Sequence, residues 1–190
     1  MRDFYHPLSP KREELALIII DVQTSLMKAM EPGIKQKTVN NIKLLIASTQ
    51  KLNIPLILTE QYPKGLGKTV IEIQQALENY QPIEKVSFSC YDDEGFKSRL
   101  RQLNSAKGVI LTGTETHVCI LQTALDLLAY GYKVYVISDA VCSRRKLDWG
   151  IGLRLMEKAG AIATTTEILI FQLLTRADTE EFKSISKLLG

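Results

Sequence analysis

The chain has 190 residues, of which 45% are hydrophobic and 24% charged, with a formal net charge of +3 at pH 7. That length suits a single domain over residues 1–190, with a core that needs no metal or disulfide, and no stretch is apolar and long enough to cross a bilayer. Cations and acids are interspersed and the densest basic runs, Lys11-Arg12 and Arg144-Arg145-Lys146, are short, which argues against a nucleic-acid footprint and a membrane role.

The N-terminus, MRDFYHPLSPKREELAL, is basic, polar and Pro-bearing without the apolar centre of a secretory signal, so a cytoplasmic location is expected. Four strong apolar runs follow: LALIIID (15–21), IPLILTE (54–60), KGVILTG (107–113) and YKVYVISDA (132–140). Bounded by turn residues and rich in β-branched side chains, they predict buried parallel strands. PIEKVSFS (82–89) and AIATTT (161–166) supply two shorter ones. Helical periodicity runs through 38–53, 94–104, 116–131 and 147–160, with Gly131 and Gly160 placed as helix C-caps, and 178–189 reads as a closing helix. Strand and helix alternate, so the fold class is α/β: a three-layer, doubly wound, Rossmann-like sandwich with a mainly parallel six-stranded sheet.

In such sheets ligands sit beyond the carboxyl ends of the strands. Three residues stand at those exits. Asp21 closes the first strand, where a buried acid must be paired, face a cleft or cap the next loop. Lys85 lies in the short third strand between Ile83 and Val86, either threading to the same end of the sheet or snorkelling to the surface. Cys119 falls within the first turn of the helix begun at Thr116, where the positive end of the helix favours a thiolate; the competing reading is a small buried hydrophobe. Three cysteines, Cys90, Cys119 and Cys142, without a C-x-x-C spacing read as reduced thiols rather than a disulfide or zinc set. Cys90 and Cys142 read as packing residues, Cys90 nearer the cleft. His117 is too close to Cys119 along the helix start to face it, and reads as an orienting residue.

Together these segments resemble the isochorismatase-like cysteine hydrolases, a superfamily that includes nicotinamidases and several amide-cleaving enzymes. The resemblance covers nearly the whole chain and rests on LALIIIDVQ around Asp21, IEKVSFS around Lys85, VILTGTETHVCILQTALDLLAYGYKVYVISDAVCSRR around Cys119 and the tail TTTEILIFQLL. TEQYPKGLG (59–67) and ETHVC (115–119) are most similar to the isochorismatase domain-containing proteins. The resemblance implies that Asp21, Lys85 and Cys119 form a catalytic triad, that the Thr114–Glu115 peptide is cis, and that the backbone N–H groups of Glu115 and Cys119 form an oxyanion hole.

The implied activity is hydrolysis of a small-molecule amide or related C–N acyl compound through a thioester. Isochorismatase itself works without the nucleophilic cysteine, so Cys119 argues against vinyl-ether cleavage. Nicotinamidases hold a metal with an acid and several histidines after the second strand; TEQYPKGLG has no histidine, so no metal or other cofactor is expected and nicotinamide is disfavoured. Leu26, Glu60, Gln61, Tyr62, Phe88 and Tyr91, at or after strand ends, are expected to line the pocket. A homo-oligomer is expected, with ILIFQLL (168–174) covering either a partner or the core. The competing reading is an interaction protein that keeps the fold but not the activity; its sign would be a broken triad, and all three positions are filled.

Overall fold

The computed structural model describes residues 6 and 8–189. Six strands, β1 (Leu15–Ile20), β2 (Leu56–Gln61), β3 (Ile83–Lys85), β4 (Gly108–Thr114), β5 (Lys133–Cys142) and β6 (Ile162–Thr164), form one sheet in the order β3-β2-β1-β4-β5-β6. Every pairing is parallel. The helices are α1 (Thr24–Lys28), α2 (Pro32–Lys51), α3 (Pro63–Leu66), α4 (Ile71–Gln74), α5 (Glu94–Gln102), α6 (Leu121–Ala129), α7 (Lys146–Lys158), α8 (Thr166–Leu174) and α9 (Glu180–Leu189). The three-layer α/β architecture expected from the alternation is the one observed.

All six residues of β1 are buried, the mark of a strand covered on both faces. Successive side chains alternate between faces. Leu17 and Ile19 enter one core with Ile42, Ile46, Leu169 and Ile185, from α2, α8 and α9; Ile18 and Ile20 enter the other with Phe96, Leu127 and Met156, from α5, α6 and α7. Gly131 and Gly160 take φ of 84° and 108° after α6 and α7, the conformation a helix C-cap asks of glycine. α8 buries Leu169, Ile170, Leu173 and Leu174, so ILIFQLL is core-facing, while Ile168 and Phe171 remain exposed.

Two helix boundaries differ from the periodicity. α2 starts at Pro32 rather than near 38, because the Glu31 side chain accepts from the Gly33 and Ile34 N–H groups and Pro32 takes the first helical position. The expected helix over 116–131 divides into a π-helical turn, Thr116–Ile120, and α6. Among the described residues no helix is long and apolar enough to cross a membrane.

The chain runs outward from β1 through β2 to β3, then returns to place β4 on the other side of β1, so the carboxyl ends of β1 and β4 flank the switch point where open α/β sheets bind ligands. Gly113 makes this seam possible. It has φ of 116°, and a Cβ built on it would lie 2.0 Å from the Ile20 carbonyl oxygen. Gly113→Ala is therefore expected to combine about 2 kcal/mol of backbone strain with about 2 kcal/mol of overpacking. Thermal unfolding should show a midpoint lowered by about 10 °C.

Candidate active site

Asp21 follows β1 directly and turns the chain with φ of 52°, a left-handed conformation that Asp and Asn accept more readily than most residues. Its carbonyl accepts from Thr114 Oγ1 at 2.6 Å and from the Gln23 N–H at 2.8 Å, and its N–H donates to Thr59 O at 3.2 Å. The fully buried carboxylate has a partner for each oxygen: Thr59 Oγ1 donates to Oδ1 and Lys85 Nζ to Oδ2, both at 2.7 Å. Thr59, paired in register with Ile20, is a site residue that the sequence reading passed over; its signal is a lone hydroxyl at the end of the apolar run IPLIL.

Lys85 is 2% exposed. Besides Asp21, its ammonium reaches Gln61 Oε1 at 2.7 Å and the carbonyls of Ser87 and Phe88 at 3.2 Å each, so the loop after β3 folds around it. Burial works against the charged form, but the Asp21 carboxylate outweighs it and holds the ammonium above its ordinary pKa. The pair is a salt bridge with no exposed side-chain surface on either member. Such a pair persists when additional hydrogen bonds satisfy both ions, as they do here.

Cys119 lies in the π turn and is 5% exposed. The Asp21 carboxylate acts on its thiol as a negative charge, and the Lys85 ammonium acts on it with the opposite sign. The net direction corrects the expectation drawn from helix position. Burial and the adjacent carboxylate push the thiol above the ordinary cysteine range, outweighing the stabilising effect of Lys85. The resting site therefore pairs a neutral thiol with an Asp–Lys ion pair.

The Thr114–Glu115 peptide is cis. The Glu115 carbonyl accepts from the Val118 N–H at 3.0 Å and the Ile120 N–H at 3.3 Å, which shapes the wide turn presenting Cys119. The Glu115 carboxylate accepts from the Arg144 N–H at 3.1 Å, with Arg144 Nε at 3.7 Å. His117 Nδ1 lies 2.9 Å from Ser143 Oγ, which ties it to the loop after β5. Gly152 of α7 backs the turn: a Cβ there would meet the Thr116 carbonyl oxygen and His117 Cα at 3.2 Å.

The six residues expected at the pocket wall separate into two groups. Leu26 of α1 is half-buried, while Tyr62 and Phe88 are exposed after the ends of β2 and β3. Glu60, Gln61 and Tyr91 are buried and engaged elsewhere. Glu60 Oε1 accepts from the Thr69 N–H at 2.6 Å, from Thr69 Oγ1 at 2.7 Å and from the Tyr80 hydroxyl. Gln61 positions Lys85 and donates to Val86 O. Tyr91 packs on Tyr130, ring centroids 4.4 Å apart, on the side of the sheet covered by α5 and α6. Amide and carboxylate groups at the ends of central strands are cheaper to bury when spent on neighbouring backbone and side-chain donors.

Cys90 is fully buried beside the site, its sulfur 3.9 Å from Thr59 Oγ1 and its thiol pushed by burial up to about 12. Cys142 is buried and its thiol is raised, also by burial, to about 11. Among the described residues no group of three or more His, Cys, Asp or Glu is arranged to hold a metal ion.

The chain and its fold have counterparts among known proteins. The profile of the isochorismatase domain matches residues 15–168. Isochorismatase domain-containing protein 2 of Danio rerio is 41% identical over 176 residues, covering 92% of this chain and 86% of its own. A solved structure described as the MAR1 ribonuclease of Caenorhabditis elegans superposes with a TM-score of 0.87 at 37% identity, covering 95% of this chain and 92% of its own. The YcaC gene product of Escherichia coli, described as an octameric hydrolase of unknown specificity, superposes with a TM-score of 0.87 at 22% identity, covering 97% and 92% of the two chains, and shares the fold. With the domain profile spanning its sheet and its strand-exit residues, the chain belongs to the isochorismatase family.

Proposed function

We propose that the protein is a cysteine-dependent hydrolase that cleaves a small amide or related C–N acyl compound through a thioester on Cys119. One observation carries this reading: a single buried carboxylate, Asp21, acts at once on a buried ammonium and on a thiol. Membership of the isochorismatase family supports a hydrolase.

In this scheme Asp21 takes the proton from the Cys119 thiol as the sulfur attacks the carbonyl carbon. Lys85 holds Asp21 in place and compensates the charge on sulfur. The backbone N–H groups of Glu115 and Cys119 receive the developing oxyanion; no hydrogen bond from the Glu115 N–H to a backbone acceptor is found among the described residues, which leaves that donor available. As the tetrahedral species collapses, Asp21 gives the proton to the departing nitrogen. A water deprotonated by Asp21 then attacks the thioester, and the sulfur leaves with a proton returned by the same carboxyl. Leu26, Tyr62 and Phe88 form the recognition wall. The ribonuclease name borne by the nematode relative belongs to that protein; a thiol beside a carboxylate is suited to acyl carbon.

The test is covalent capture. Incubation with an activated p-nitrophenyl ester should acylate Cys119, identified by peptide mass spectrometry. Cys119→Ala should lose the adduct and lower ester hydrolysis by at least about a thousandfold, while its circular dichroism stays that of the parent. Hydrolysis by Cys119→Ala at the parental rate would exclude the thioester route. The exposed Ile168 and Phe171 on α8 support a homo-oligomer, which light scattering would size.

A further inference from the structure

The placement of the Lys85 ammonium against the Cys119 sulfur depends on two segments of chain that α6 joins. On one side the ammonium is held by the side chains of Asp21 and Gln61, on the other by the carbonyls of Ser87 and Phe88. Those carbonyls belong to the loop over 86–89, whose large side chains, Val86 and Phe88, are exposed, so apolar burial does little to hold it.

Polar bonds hold it instead. Gln61 Nε2 donates to Val86 O at 2.7 Å at its start, and Ser87 Oγ donates to Ser89 O at 2.8 Å within it. At its end the chain is tied to α6 twice: the Cys90 N–H donates to Thr123 Oγ1 at 2.9 Å, and Ser89 Oγ donates to the Asp126 carboxylate. Ser89 and Thr123 are buried and Asp126 is half-buried. Ser89 Oγ also accepts from the Tyr91 N–H at 3.2 Å, which caps the turn Cys90–Asp92.

α6 begins at Leu121, directly after the π turn that carries Cys119. Thr123 and Asp126 stand three residues apart, so they are neighbours on one face of that helix. One helix thus continues from the turn bearing the sulfur and anchors the loop that cradles the ammonium. Among the described residues no ion pair engages Asp126, so its carboxylate is spent on Ser89. A hydrogen bond to an ionised acceptor is about twice as strong as one between neutral groups, which suits it to fixing a loop.

We propose that Asp126 is a positioning residue: through Ser89 it keeps the loop carbonyls on Lys85, and so keeps the ammonium where it compensates charge on the Cys119 sulfur. This rests on Cys119 being the nucleophile of the proposed hydrolase.

The titratable groups that act on the thiol are Asp21, Lys85 and Cys90, from the end of β1, from β3 and from the turn after it; Asp126 is not among them. Its removal has two conceivable effects of opposite sign. Loss of a negative charge acting directly on the thiol would lower its pKa, whereas a loosened Lys85 raises it.

The test compares Asp126→Ala, Ser89→Ala and Asp126→Asn. It follows iodoacetamide alkylation of Cys119 against pH by peptide mass spectrometry, together with steady-state hydrolysis of a p-nitrophenyl ester. In Asp126→Ala and Ser89→Ala the alkylation curve should move to higher pH, lowering the rate about threefold or more wherever the pH lies below the thiol pKa. Their kcat should fall at least about tenfold while KM changes by less than about threefold. Asp126→Asn keeps an acceptor for Ser89 and should return both readouts close to the parent. An unmoved curve in the two Ala variants, a shift to lower pH in Asp126→Ala, or an Asp126→Asn variant indistinguishable from Asp126→Ala would overturn the inference; Ser89→Ala decides alone if Asp126→Ala does not fold. Alkylation needs only a thiolate, so each of these outcomes leaves the hydrolase standing. Hydrolysis by Cys119→Ala at the parental rate would overturn the hydrolase and the inference with it.

Discussion

Asp21→Asn is expected to abolish hydrolysis and, in the same protein, to make Cys119 react faster with iodoacetamide at neutral pH. The two effects have opposite signs because the carboxylate does two things. In the proposed scheme it carries the proton in both half-reactions, and losing a positioned acid–base group costs about a hundred- to ten-thousandfold in rate. As a negative charge it also adds to burial in holding the resting thiol above its ordinary pKa. Removing that charge leaves the Lys85 ammonium without its anion, and the thiolate takes that place. Each unit by which the thiol pKa drops multiplies the thiolate fraction about tenfold as long as the pH lies below it. Asn accepts the left-handed backbone at this position, so the comparison isolates charge from conformation. The alkylation rate measured against pH should move to lower pH; an unmoved curve would show that Asp21 does not govern the thiol.

Lys85→Met should have the largest effect on stability. It leaves a fully buried carboxylate whose Oδ2 has lost its counter-charge, and breaking a buried pair in this way costs about 3–5 kcal/mol. A midpoint lower by about 10 °C follows for a chain of this size. The pH dependence has a definite sign. Without Lys85 the cost is that of burying an unpaired charge, so the defect is largest at neutral pH and shrinks in acid, where a neutral carboxyl group no longer needs the ammonium. Thermal unfolding of parent and variant across acidic and neutral pH checks this, and the double variant Lys85→Met/Asp21→Asn should recover part of the loss at neutral pH. A defect that is flat with pH would place the cost in packing instead.

The strands were legible because parallel strands covered on both faces leave unbroken apolar runs, as LALIII does in β1. The candidate site was legible because Asp21 and Lys85 are charged residues set at the ends of such runs, and because Cys119 follows a strand, a glycine and a short connector. What escaped the sequence depends on contacts distant along the chain. α1, α3 and α4 are four or five residues long, too short for periodicity, and are held by bonds such as Gln23 to Gly67 and Thr69 to Glu60. The π turn is a hydrogen-bond pattern set by the Glu115 carbonyl, with no composition of its own. The direction of the Cys119 shift was misread because position on a helix weighs only the local dipole, whereas burial and a carboxylate from another strand weigh more. Glu60 and Tyr91 stand near strand exits in the sequence, but their side chains are spent on Thr69 and Tyr80 and on Tyr130.

The loop after β2 is anchored at its root and open at its tip. The Gln23 amide donates to the Gln61 carbonyl at 2.9 Å and accepts from its N–H at 2.7 Å, while Glu60 grips Thr69 at the far end. Between these anchors Tyr62, Lys64 and Gly65 face solvent and carry no part of the Asp–Lys–Cys cluster. Under the proposed function this loop works as an interchangeable fitting: its crown can be exchanged for another, and with it the molecules admitted, without retuning the reaction beneath.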